Sequence, residues 1–155
     1  MGHTIREAEP KDLDCLARIY ISAYAIEPWS EKWQYEQAKE RIYEILSSPK
    51  PICYVCEENE VIIGSSLCLL MSWHTGLQLE GKELFVDPPH QRRGVAKALI
   101  CQVESTAKQL GVTELFFWTK RDMYSVCPNR LVDYYRKLGF SLAEERIVML
   151  KKYEF

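Results

Sequence analysis

Apolar residues recur along the chain at two periods, and the switches between them mark out its elements. Thr4 to Ala8 alternates and predicts a short first strand. Pro10-Lys11-Asp12-Leu13 then opens a helix on which Leu13, Leu16, Ala17, Tyr20 and Tyr24 recur at helical spacing. Glu27-Pro28-Trp29 breaks it. Ser30 reads as the N-cap of a second helix from Glu31 to Leu46, with Ala38, Ile42, Ile45 and Leu46 on one side. Ser47 to Pro51 ends that helix, and Ile52 to Cys56 predicts a strand. The polar turn Glu57 to Glu60 leads to a long strand, Val61 to Trp73, with a bend at Gly64. His74-Thr75-Gly76 turns the chain into a strand ending at Val86. A helix from Arg92 to Leu110 follows, with Val95, Leu99, Ile100, Val103 and Leu110 on one face and Gly111 at its C-terminal end. Thr113 to Thr119 predicts a strand and Asn129 to Leu138 a short helix ended by Gly139. Phe140 to Ala143 and Ile147 to Lys151 predict two final strands.

The order β-α-α-β-β-β-α-β-α-β-β predicts an α+β fold: a mixed, mostly antiparallel sheet with helices on both faces, and two strands parallel around the 92–110 crossover. At 155 residues, with no linker or repeat, one domain spanning 1–155 is expected.

The strand ending at Val86 runs into Asp87-Pro88-Pro89, which can neither continue a ladder nor open a helix gently. Gln91-Arg92-Arg93-Gly94-Val95-Ala96-Lys97 comes next, directly at a helix start. The first turn of a helix offers backbone N–H groups without internal partners, at the positive end of its dipole. Gly94 and Ala96 let a phosphate approach without meeting a branched side chain, and Arg92, Arg93 and Lys97 favour a multiply charged anion. Neither Gly-x-x-x-x-Gly-Lys-Ser/Thr nor Gly-x-Gly-x-x-Gly occurs, so the P-loop and dinucleotide-binding motifs are excluded.

Gln91-x-x-Gly94-x-Ala96 after Val86-Asp87-Pro88 resembles the acetyl-coenzyme A signature of the GNAT superfamily of N-acetyltransferases. The element order resembles the fold of that family from end to end. A second segment, Tyr135-Arg136-Lys137-Leu138-Gly139-Phe140, resembles the family's Tyr-Glu-Lys-Leu-Gly-Phe. The resemblance implies acetyl-CoA as co-substrate, held by Phe85, Val86 and residues 91–97, with the Val86 N–H at the thioester oxygen. It also implies Tyr135 as proton donor to the departing thiolate and Asn129 as a contact to the pantetheine arm. Read from the residues alone, the alternative for Tyr135 is an amphipathic core tyrosine with its hydroxyl at the surface.

Acyl transfer to an amine needs the amine neutral, and alkylamines resemble lysine, with a pKa of about 10.4. A carboxylate, directly or through water, can take the proton. Glu83, three residues before Val86, is the first candidate, Glu80 the second and Asp87 the third. The resemblance places the acceptor between the first two helices and the strands. Here Glu27, Trp29 and Trp33 offer a cation-friendly aromatic wall, unless the tryptophans only staple the second helix to the sheet. The same stretch resembles aminoglycoside-type N-acetyltransferases. Trp73 and His74 are another candidate wall, and Lys120-Arg121 another candidate phosphate contact.

The net charge of −2 hides an asymmetry: residues 1–90 carry 8 basic and 15 acidic side chains, residues 91–155 carry 12 and 7. A basic part suits an anionic cofactor and an acidic part a cationic acceptor. No long or aromatic-interleaved basic stripe appears, so nucleic acid is not an expected partner. Three histidines show no metal spacing, and Cys53-Tyr54-Val55-Cys56 lies in a strand, where its two thiols point to opposite faces; no metal site is expected. The apolar run 61–73 is shorter than the ~20 residues that span a bilayer, and the start of the chain is polar, so a cytoplasmic protein without a membrane partner is expected. These features predict an N-acetyltransferase acting on a small-molecule or peptide amine in a ternary complex, as a monomer or a homodimer. The alternative is a non-catalytic acyl-CoA-binding sensor, which would keep residues 92–96 without needing Glu83 or Tyr135.

Overall fold

The computed structural model describes residues 2–121 and 129–154, and the chain divides into two compact units, 1–118 and 119–155. The first unit holds β1 (Thr4–Glu7), α1 (Leu13–Ala25), α2 (Tyr35–Leu46), β2 (Pro51–Glu58), β3 (Val61–Trp73), β4 (Gly76–Val86), α3 (Val95–Leu110) and β5 (Val112–Phe117). Its sheet has the order β1-β2-β3-β4-β5. Neighbours are antiparallel except β4 and β5, which are parallel and joined by the α3 crossover.

Both faces of the central strands are covered, so their sequences read as nearly continuous apolar runs. Cys53, Val55, Leu67 and Phe85 pack against α1 and α2, while Tyr54, Cys56, Cys68, Leu79 and Val86 pack against α3. Cys53 and Cys56 thus lie on opposite faces, and burial raises both thiols above their ordinary range.

Two irregularities shape the site. Leu67 pairs with Glu83 but Cys68 pairs with Gly81, so Lys82 is an extra residue in β4. Such a bulge breaks the two-residue alternation. Glu80 and Glu83, three apart, therefore fall on the same α1/α2 face. The second irregularity is the end of the β4–β5 ladder at Gly81–Phe117, five residues before β4 itself ends at Val86. From Lys82 to Val86 that edge of β4 has no strand beside it among the described residues.

Several boundaries differ from the sequence expectation. α2 begins at Tyr35 rather than Glu31, because Ser30 has φ 49° and cannot be an extended N-cap. Gln34 takes that place, its N–H donating to Gln37 Oε1 at 3.2 Å. α3 begins at Val95 rather than Arg92, since Arg92 (φ 60°) and Gly94 (φ 82°) are left-handed. Leu110, expected on its buried face, is 42% exposed.

The second unit contains α4 (Arg130–Lys137), which ends at Gly139 (φ 92°) as expected. The Phe140 N–H closes the end on the Tyr135 carbonyl at 3.1 Å. The two expected final strands are not formed: residues 138–154 contain no strand, and Ile147, Val148, Met149 and Leu150 are exposed. A β-rich sequence makes a strand only where a ladder partner is supplied, and no strand forms within the described part of this unit. Cys127 lies outside the described residues. Among the described residues no helix is long and apolar enough to cross a membrane.

Candidate active site

The Asp87 N–H donates to the Ile63 carbonyl at 2.8 Å, so β4 bonds to β3 through Asp87, and strand alternation turns the Val86 amide and carbonyl to the open edge. Gln91 confirms this phase: its Nε2 reaches round to donate to the Val86 carbonyl at 3.0 Å, tying the loop to the strand end. The Val86 N–H is left at the edge. Phe85, expected to share it, does not: alternation turns its main chain towards β3, and its ring is buried against α1.

The loop enters α3 through Gly94, whose left-handed φ of 82° would strain any other residue. Nothing lies within 4 Å of the point where a Cβ would stand. No side chain caps the helix, and the Ala98 N–H is the first to bond back, to the Gly94 carbonyl. The N–H groups of Val95, Ala96 and Lys97 thus face outward at the positive end of a 16-residue helix, which fits a diphosphate. Val95 anchors this turn from below, its side chain buried beside Gly64. Arg92 and Lys97 are exposed at the mouth. Arg93 is engaged elsewhere: its Nη2 pairs with Glu58 Oε1 at 2.7 Å. His90 lies between Asp87 (3.4 Å) and Glu58 (3.9 Å).

On the α1/α2 face, Glu83 is nearly enclosed, its side chain 10% exposed. Oε1 accepts from Tyr20 Oη at 3.0 Å and from Arg41 Nε at 3.1 Å, and Oε2 accepts from Tyr24 Oη at 2.6 Å. Burial, and then the Glu83 charge, hold the Tyr20 phenol well above its usual range, so it remains a donor. Burial pulls the Arg41 guanidinium down, but Glu83 outweighs it and the net shift is upward. Glu80, on the same face, accepts from Trp118 Nε1 at 3.1 Å and pairs with Lys82 at 2.9 Å.

The aromatic residues join this cluster. Trp29 stacks edge-on against Tyr24 (centroids 5.2 Å) and Trp33 against Tyr20 (5.0 Å), the two tyrosines that hold Glu83. Both tryptophans are partly buried, while Glu27 is exposed at the end of α1. The sequence motifs single out none of Tyr20, Tyr24 and Arg41. Tyrosines four apart on a buried helix face were the available signal, since a buried hydroxyl needs a partner. In the second unit, Asn129 caps α4 through its carbonyl, which accepts from the Asp133 N–H at 2.8 Å. The Tyr135 ring lies 5.6 Å from Phe140 and 5.8 Å from Tyr134.

A family model described as the acetyltransferase (GNAT) family matches residues 13–140. The chain belongs to this family. An uncharacterised N-acetyltransferase of Methanocaldococcus jannaschii is 28% identical over 149 residues, 92% of this chain; the chain spans only 62% of that relative's length. Among solved structures, a possible acetyltransferase from Clostridium difficile 630 superposes with a TM-score of 0.81 at 14% identity, covering 99% of this chain and all of that one. AAC(6')-Iy, solved with the bisubstrate analogue CoA-S-monomethyl-acetylneamine, superposes with a TM-score of 0.73 at 20% identity, with 99% of each chain covered. At such identities the two structures support the GNAT fold, and the family match makes the chain a GNAT N-acetyltransferase domain.

Proposed function

We propose that the chain transfers an acetyl group from acetyl-CoA to a primary amine, directly, within a ternary complex. One observation carries this reading: among the described residues, β4 presents from Lys82 to Val86 a main-chain edge with no strand beside it, which leads to an uncapped helix start, and the same strand holds Glu83 on its α1/α2 face. The N–H groups of residues 95–97, with Arg92, Lys97 and the Gln91-tied loop, bind the diphosphate. Arg93 joins them once it leaves Glu58. The Val86 N–H receives the thioester oxygen as it gains negative charge. Glu83 takes the proton from the amine, directly or through one water, as nitrogen attacks the carbonyl carbon and the carbon–sulfur bond breaks. By its place in the second motif, Tyr135 returns a proton to the thiolate and Asn129 contacts the pantetheine arm. Holding both substrates together supplies much of the acceleration.

The acceptor we propose is a small cationic amine. The tryptophan rings around the tyrosine–Glu83 cluster support it, as does the fold shared with AAC(6')-Iy. Release of thiol from acetyl-CoA across a panel of amines, including alkylamines, aminoglycosides and peptide N-termini, tests the reading. Turnover with small polycationic amines is expected. Acetyl-CoA binding with no release over any amine would replace the enzyme with an acyl-CoA sensor.

A further inference from the structure

The pairing of Arg41 with Glu83 goes beyond this reading while resting on it. On the direct route, a carboxylate that takes a proton from an ammonium must first receive that cation within hydrogen-bond distance. In this protein a cation already stands there. Arg41 Nε donates to Glu83 Oε1 at 3.1 Å, and the two tyrosine hydroxyls take up most of the remaining acceptor capacity. The three donors come from two helices: Tyr20 and Tyr24 from α1, Arg41 from α2. They are not equivalent. Tyr20 and Tyr24 are 2% and 6% exposed, fixed in the core by each other, by Phe85 and by the tryptophans. The Arg41 side chain is 35% exposed and lines the open groove beside Trp33, Gln37 and Glu40. It is the donor on the solvent side, with a flexible stem that can swing outward.

We infer that Arg41 is the specificity-determining residue of the acceptor site: its guanidinium occupies the seat on Glu83 that the acceptor's ammonium must take. Acceptors compete with an internal cation, so weakly binding monoamines are rejected, and an amine is accepted only when its remaining contacts displace Arg41.

The test uses small cations and intrinsic tryptophan fluorescence, to which Trp29 and Trp33 beside the Glu83 cluster contribute, and so needs no turnover. Wild type, Arg41→Ala, Arg41→Lys and the double variant Arg41→Ala/Glu83→Gln are titrated with ethylammonium and with guanidinium chloride at constant ionic strength. Arg41→Ala should bind both ions at least tenfold more tightly than wild type. Arg41→Lys, which keeps the seat filled, should resemble wild type, and the double variant should lose the gain. If Arg41→Ala does not fold, Arg41→Gln, which keeps a donor for Glu83 but no charge, serves the same comparison. Equal affinity in wild type and in the folded neutral variant would overturn the inference, and so would a gain that survives removal of the Glu83 charge. Failure of the base reading is a separate result: it is read from the turnover of Glu83→Gln alone.

Discussion

Glu83→Gln separates chemistry from scaffolding, because the two respond by different amounts. The substitution keeps the volume but leaves one acceptor oxygen where there were two. Either Tyr24 (2.6 Å), or Tyr20 (3.0 Å) and Arg41 (3.1 Å), then faces an amide NH2, donor against donor. Losing a hydrogen bond to a charged group in a nearly enclosed site costs about 1.5–3 kcal/mol. For a chain of this size that lowers Tm by roughly 3–12 °C, leaving the protein folded at assay temperature. Removing a general base costs a further factor of about 10²–10⁴ in turnover. Initial rates of thiol release at saturating acetyl-CoA read kcat, and calorimetry reads acetyl-CoA affinity. The expected result is kcat down at least about 100-fold with acetyl-CoA affinity unchanged, since the Val86 edge and the α3 turn are intact. A lowered Tm with kcat within about twofold of wild type would refute the reasoning and leave Glu83 as a purely structural tie.

Three further outcomes follow from other parts of the molecule. Trp29→Ala removes the ring stacked on Tyr24 and should raise the amine KM about tenfold while leaving the acetyl-CoA KM unchanged; equal rises in both would count against an acceptor role. Gly81→Ala would put a Cβ 2.1 Å from the Phe117 ring at the last β4–β5 pair, and should cost about 2 kcal/mol in urea unfolding; an unchanged midpoint would contradict that packing. Arg6 donates to both Asp12 oxygens (2.8 and 2.9 Å), and this holds the Asp12 pKa below its ordinary value. The stability it supplies is present above the unfolded pKa of about 3.9 and is lost as pH falls through the depressed native value. Asp12→Asn should therefore be less stable at pH 7 by about 2 kcal/mol and show a flatter acid limb; an unchanged acid limb would contradict it.

Much of the architecture is legible in the chain. The run from Val61 to Trp73 is bounded by turn residues at both ends and buried on both faces from Ile62 to Cys68, so its strand emerges with the expected limits. The Gly94–Ala96 motif marks the helix start because only certain residues tolerate that approach, although Gly94 is left-handed and the helix begins one residue later. Other features depend on partners that local patterning does not contain. Lys82 carries no sign that it is a bulge, yet it is what brings Glu80 and Glu83 to one face. Arg93 reads as a phosphate ligand until Glu58, 35 residues earlier, is seen to hold it. Tyr20 and Tyr24 read as core because they are core; their hydroxyls gain meaning only from a carboxylate about 60 residues away. Ile147 to Leu150 has strand composition but no strand beside it within its own described unit.

The most direct measurement is calorimetric titration of the purified protein and its Gly94→Val variant with acetyl-CoA. At φ 82° a valine is strained by roughly 1–2 kcal/mol, and its side chain fills the open approach to the α3 N–H groups. Saturable binding by wild type that weakens with added salt, and at least a tenfold loss of affinity in the folded variant, is the expected result. No binding by wild type, or equal binding by both proteins, would contradict the claim that this main chain holds the diphosphate.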